Sequence, residues 1–140
     1  MKWRKSKVPA DKQSIYQVEK NFGIQFPSDF RQIAITSHGT QPSPDTIDFG
    51  DLKQMVFGCL LSFEKNSPIY IERVYRWVKD DLPDKVFPFA KDPFGNLYCF
   101  DYRDSEDPII VYWYHESSNV TKVCDNFSDI EKMLYEPDQD

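Results

Sequence analysis

Two aspartates, Asp92 and Asp101, bracket the second half of VFPFAKDPFGNLYCFDYR (86–103), and DYRDSEDP continues the acidic run with Asp104, Glu106 and Asp107. Paired carboxylates can divide general acid and base roles between them, or hold Mg²⁺ or Ca²⁺ through oxygen ligands. The surrounding pattern argues against both. It lacks the alternating D-x-D-x-D-G loop that wraps calcium, and no glycine-rich phosphate loop, lysine nucleophile or activated serine accompanies it. Asp92-Pro93-Phe94-Gly95 has instead the grammar of a type I turn. Aspartate accepts backbone N–H bonds at the first position, proline presets φ at the second, and glycine can supply the left-handed conformation at the end. Asp104 to Asp107 then read as a solvated connection between strands.

His38, His115, Cys59, Cys99 and Cys124 are the other side chains able to do chemistry. Their spacing matches no zinc-ligand pattern, so no metal is expected. A thiol nucleophile could be paired with His115 from Cys99 or Cys124. A cysteine centred in LYCF is, however, expected to be buried and inert. Three cysteines without a CxxC, each in an apolar run, are expected to be free thiols in a reducing compartment. No catalytic residue and no cofactor emerges from the residue types.

The net charge of −6 conceals an asymmetry. Residues 1–20 carry six cations against Asp11 and Glu19, whereas residues 101–140 carry eleven acids against Arg103, Lys122 and Lys132. Such a surface repels phosphate backbones and attracts basic partners, so direct nucleic-acid binding is disfavoured. No apolar stretch approaches a membrane span, and MKWRKSKVPADK has no apolar core of a signal peptide, so a cytoplasmic protein is expected. Aromatic residues are dense: Trp77, Phe94, Tyr98, Phe100, Tyr102, Tyr112, Trp113 and Tyr114. Most should fill a core. Consecutive rings in YWY point to opposite faces, so some should reach the surface beside acids, where aromatic anchors form binding hot spots.

The elements that must position these residues can be read from the chain. One domain over residues 1–140 is expected, with a loose basic arm at 1–9 and an acidic tail at 136–140. Asp11 caps a first helix with Ile15, Val18 and Phe22 inward and Gly23 as its left-handed stop. A corner at Ile24–Pro27 leads to a second helix from Ser28, with Phe30, Ile33 and Ala34 inward. Thr40 to Thr46 reads as a loop, and Ile47 to Phe63 as one or two strands. A third helix starts at Ser67-Pro68 and carries Tyr70, Val74, Trp77 and Val78 on one side. Strands follow at 87–90, 97–102, 109–114 and 120–124, with Pro88 at an edge or irregular position. Ser128 to Glu131 is a capping box opening a last helix. The fold class is α+β: a central, mainly antiparallel meander flanked by an N-terminal helix pair, a middle helix and a C-terminal helix.

SIYQVEKNFGIQFPSDFRQIAITSHG resembles the entry motif of the SUKH superfamily, the Smi/Knr-type domain. Ile15, Val18, Glu19, Phe22, Gly23, Phe26, Pro27, Asp29, Phe30 and Gly39 fill it, with His38 where asparagine is common. A second signature is matched by Phe87-Pro88-Phe89-Ala90, Asp92, Gly95-Asn96 and Leu97 to Asp101, and a third by IIVYWYHE and DNFSDIEKML. Together they span most of residues 13–135. The resemblance implies an α+β domain without catalytic residues. Bacterial members resemble immunity proteins that bind and neutralise a cognate toxin, often a nuclease; eukaryotic members are regulatory scaffolds of cell-wall signalling.

The leading expectation is therefore a cytoplasmic antitoxin, monomer or dimer, that blocks the basic cleft of a toxin domain by direct binding. Asp101, Asp104, Glu106, Asp107, Trp113 and Glu116 are its candidate contact residues, with Asp80 and Asp81 as an adjoining patch. The acids would steer the encounter and the tryptophan would anchor it. A regulatory interaction module is the alternative, and an enzyme using Asp92 or Asp101 the third reading.

Overall fold

The computed structural model describes residues 1–138. Its elements are β1 (Lys2–Trp3), α1 (Lys12–Phe22), α2 (Ser28–Ser37), β2 (Pro42–Ser43), β3 (Thr46–Phe49), β4 (Leu52–Val56), β5 (Cys59–Leu60), α3 (Ile71–Val78), β6 (Val86–Lys91), β7 (Leu97–Asp101), β8 (Ile109–Tyr114), β9 (Asn119–Cys124) and α4 (Phe127–Met133). The order β5-β6-β7-β8-β9 forms a five-stranded antiparallel meander, and β1-β2 and β3-β4 form separate two-stranded pairs. The fold is α+β around an antiparallel sheet.

Local chemistry sets the helix ends. Asp11 accepts the Ser14 N–H at 2.7 Å, and Gly23 closes α1 at φ +74°, where its N–H returns to the Glu19 carbonyl. The last helix begins earlier than its Ser128 box suggests: Asn126 is the cap, accepting from the Asp129 N–H, and Ser128 Oγ donates to the Asn126 side chain. In the middle, Ser67-Pro68 opens a turn rather than a helix. Ser67 accepts the Ile69 and Tyr70 N–H groups, and α3 starts at Ile71.

Every residue of β7 is buried, as befits a strand covered on both faces. Phe26, Phe30 and Phe127 bring the α1–α2 corner and α4 onto Phe89 and Phe100, whose rings stack at 4.2 Å. Phe49 and Phe57 bring the β3–β4 hairpin onto Tyr98 and Tyr112. Pro88 sits at a register shift beyond the reach of β5, so its missing N–H costs no ladder bond on that side. Gly58 permits the β5–β6 crossing: at φ +70° a Cβ there would lie 1.9 Å from the Lys91 carbonyl oxygen.

The arm expected to be loose is docked. Trp3 stacks on Phe127 at 5.5 Å and donates its indole N–H to Glu131. The Ser6 N–H bonds to the Thr36 carbonyl, and the Ser6 hydroxyl to that of His38. His38 ties the arm inward: Nδ1 accepts the Phe63 N–H at 3.0 Å, leaving Nε2 to donate to the Val8 carbonyl at 2.8 Å. Of the acidic tail, residues 136–138 are exposed, and the last two positions lie outside the described residues.

Candidate functional site

The antiparallel register sorts the acids between the two ends of the sheet. At one end Asp101 pairs with Val86 and Ile109; at the other Leu97 pairs with Lys91 and Trp113. The β7–β8 connection, with Asp104, Glu106 and Asp107, therefore leaves from the Asp101 end. The Tyr102 N–H donates to the Lys85 carbonyl at 2.9 Å, which brings the turn after α3 alongside. Asp80, Asp81 and Asp84 lie in that turn, and Tyr102 Oη reaches the Gln25 carbonyl to fix the whole end against the α1–α2 corner. Residues 79–85 and 101–107 together hold seven carboxylates and three cations, a net of four negative charges. Asp80, Asp81, Asp84, Asp104, Glu106 and Asp107 are all exposed.

Asp101 differs from the others. It is 7% exposed, and its carboxylate takes the Arg103 backbone N–H at 2.9 Å and the guanidinium at 2.7 Å. Burial pushes its carboxyl up, but the guanidinium and backbone bonds from Arg103 outweigh that and hold it below the ordinary 3.8. Asp101 shapes the exit of β7 rather than offering a free charge.

Trp113 and Glu116 sit elsewhere. Trp113 is 3% exposed within β8, opposite Leu97 and Val120, so its ring is committed to the interior; its indole N–H has no partner among the described residues. Glu116 lies in the β8–β9 turn at the far end of the sheet, where it accepts the Tyr114 hydroxyl. The structure thus gathers six of the eight sequence-derived candidates, Asp80, Asp81, Asp101, Asp104, Glu106 and Asp107, and separates two.

Asp84 and Trp77 also stand at this end, outside the sequence-derived contact candidates, Trp77 having been expected on the inward side of the third helix. Trp77 is 68% exposed on α3. The buried stripe of that helix is Ile71, Val74, Tyr75 and Val78, and at 100° per residue Trp77 lies about 110° from its centre. Ile71, overlooked as the start of the stripe, was the signal that would have placed it outside.

At the far end Asp92 is buried and fully engaged. It accepts the Phe94 and Asn96 N–H groups, the Asn96 amide at 3.1 Å and the Tyr112 hydroxyl at 2.6 Å. Burial, then that bond, pushes the Tyr112 hydroxyl up, so it stays a donor. The turn presents Phe94 to solvent at 66% exposure. Asp92 and Asp101 therefore occupy opposite ends of β7 and face no common site.

Burial pushes all three thiols up, Cys124 to about 12, and His115, in the β8–β9 turn, lies at the opposite end of the sheet from Cys124. Among the described residues no group of three His, Cys, Asp or Glu side chains could hold a metal ion, and no helix is long and apolar enough to cross a membrane.

A crystal structure of a protein from Pseudomonas syringae pv. tomato is similar to this chain, with a TM-score of 0.50 and 19% identity over 79% of this chain and 74% of that one. No curated protein matches it by sequence. The family described as SMI1 / KNR4 (SUKH-1) matches residues 9–132, from the end of the docked arm to the last turn of α4. The chain belongs to the SMI1/KNR4 (SUKH-1) family.

Proposed function

We propose that this protein is a non-enzymatic immunity protein, acting in the cytoplasm, that neutralises a cognate toxin by binding it through the acidic end of its sheet. The toxin is a nuclease domain with a basic cleft. The observation that carries this reading is the convergence of six exposed carboxylates from two distant segments, 80–84 and 104–107, onto one rigidly tied end. Such a surface steers a basic cleft toward itself and stands in for phosphate charge within it. Family membership supports the same reading, since the resemblance that pointed to the family implies partner binding without catalysis. The engagement of Asp92 and Asp101 in structural bonds also weighs against a carboxylate enzyme.

Co-expression with the toxic C-terminal domain encoded beside the gene tests the proposal. Cells should survive and the two chains should co-purify in a salt-sensitive complex. Continued killing with no complex would sink the proposal.

A further inference from the structure

Among the described residues six large apolar side chains are exposed: Met1, Val8, Tyr16, Trp77, Phe94 and Tyr114. Phe94 and Tyr114 belong to the far end of the sheet, Tyr16 to α1, and Met1 and Val8 to the arm. Trp77 alone lies beside the acidic end. After α3 the chain keeps a helical course, with the Asp81 and Leu82 N–H groups returning to the Val78 carbonyl. Asp80 and Asp81 consequently stand three and four residues on from Trp77, on its side of the helix.

Two of the neighbouring cations, Arg73 and Arg103, are turned away from this patch, while Arg76, Lys79 and Lys85 are exposed near it. Arg73, one turn before Trp77, sends its guanidinium back to the Ser67 and Lys65 carbonyls at 3.2 and 3.3 Å. Arg103 is folded onto Asp101 at 2.7 Å. None of Asp80, Asp81, Asp84, Asp104, Glu106 and Asp107 is in an ion pair among the described residues. Nor does the Trp77 ring pair with another aromatic among them, although most other rings in the chain do. An indole held on a helix, flanked by carboxylates that make no ion pair among the described residues, has the composition of an interface centre: an aromatic anchor with charges around it.

We infer that Trp77 is the anchor of the partner interface, and that the partner covers it with a basic protein surface whose arginine or lysine side chains lie across the indole face while their neighbours meet Asp80, Asp81 and the 104–107 loop. This rests on the reading of the protein as a toxin-binding immunity protein and deepens it by naming the residue that holds the complex together. Guanidinium and ammonium groups over an indole gain from its quadrupole, and the adjoining carboxylates select for just such groups.

The test uses the full chain and a catalytically inactivated form of the toxin domain encoded beside it. Trp77→Ala should weaken binding at least ~30-fold, mainly by faster dissociation, while leaving the thermal unfolding midpoint near that of the wild type. Trp77→Phe should recover part of the loss. In the wild type, complex formation should protect tryptophan fluorescence from acrylamide, and most of that protection should be lost in Trp77→Phe, because Trp113 is buried and Trp3 is half-buried against Phe127. Wild-type affinity in Trp77→Ala would overturn this inference and leave the immunity reading standing. Failure of the wild type itself to bind the toxin domain would overturn both. A wild-type dimer in sedimentation that Trp77→Ala dissociates would assign the indole to a second copy of the chain and overturn the inference.

Discussion

Removing the charge of Asp92 would leave four donors converging on an amide that can accept from only part of them. Asp92→Asn keeps the shape of the turn but forces an NH₂ against the Tyr112 hydroxyl or the Asn96 N–H. Unfolding in urea should show a loss of about 2–4 kcal/mol, as for a buried charge-assisted network broken on one side. Asp101 makes a pH-dependent contribution. Its folded carboxyl is held below the ordinary 3.8, so the Arg103 link stabilises the fold above that value and is lost as pH falls through the lower, folded value. The urea midpoint of the wild type should therefore drop more steeply below about pH 4 than that of Asp101→Asn; parallel curves would contradict the assignment. These two residues also mark what a sequence discloses at this scale. Asp92 was legible as a turn residue because the grammar of DPFG is local. Its fourth donor was not, because Tyr112 lies twenty positions away and only strand register brings it opposite Tyr98. Asp101 was named as a contact residue because it opens an acidic run, although it also ends a strand that is apolar on both faces and is itself buried.

Elements show the same division between local and distant causes. The caps and stripe of α1, the Gly23 stop and strands β6 to β9 follow from spacing within a dozen residues and lie close to where the pattern puts them, whereas the stretch read as one or two strands over 47–63 holds β4, β5 and most of β3. The N-terminal arm does not lie where its pattern puts it. Its basic, aperiodic sequence reads as loose, yet its partners Phe57, Thr36, His38, Phe127 and Glu131 lie roughly 30 to 128 positions on, where no periodicity can announce them. Trp3→Ala should cost about 2–3 kcal/mol in chemical denaturation, somewhat less than deleting a fully buried ring because Trp3 is half-buried. Hydrogen exchange would locate the loss, with faster exchange at Ser6 and Ala10. An arm that makes no stabilising contact would leave both measurements unchanged. The signature residues of the family are structural in the same sense. Glu19 is buried, takes the Phe26 N–H at 2.6 Å and pairs with Arg31 at 3.1 Å, fastening the α1–α2 corner. Asp29 receives the Ser128 N–H and so joins α2 to α4. Motifs that identify the family thus describe its scaffold, and the exposed acids and Trp77 largely stand outside them.

Across the whole molecule, the separation of scaffold from surface gives charge and apolar contact different kinetic signatures. The basic arm is fastened to the body through Trp3, Ser6 and Val8, while the net negative end is built from residues 79–85 and 101–107. Carboxylates that are exposed interact with a partner at distances comparable to the Debye length, so salt weakens their pull before contact is made. An indole acts only once it is covered. Converting Asp80, Asp81, Asp104, Glu106 and Asp107 to their amides should therefore slow association with the toxin domain by roughly tenfold or more at low ionic strength, with a small change in dissociation. The wild-type association rate should fall as salt is raised from about 0.05 to 0.5 M, and the rate of the amide variant should be nearly flat over the same range. Glu116→Gln supplies the internal control. It removes one negative charge, but at the opposite end of the sheet, at least four strand residues or roughly 13 Å beyond the Asp101 level. If binding depended on net charge alone, Glu116→Gln would shift the association rate as much as any single amide at the acidic end. If the acidic end itself meets the toxin, Asp104→Asn should slow association measurably and Glu116→Gln should leave it within error of the wild type.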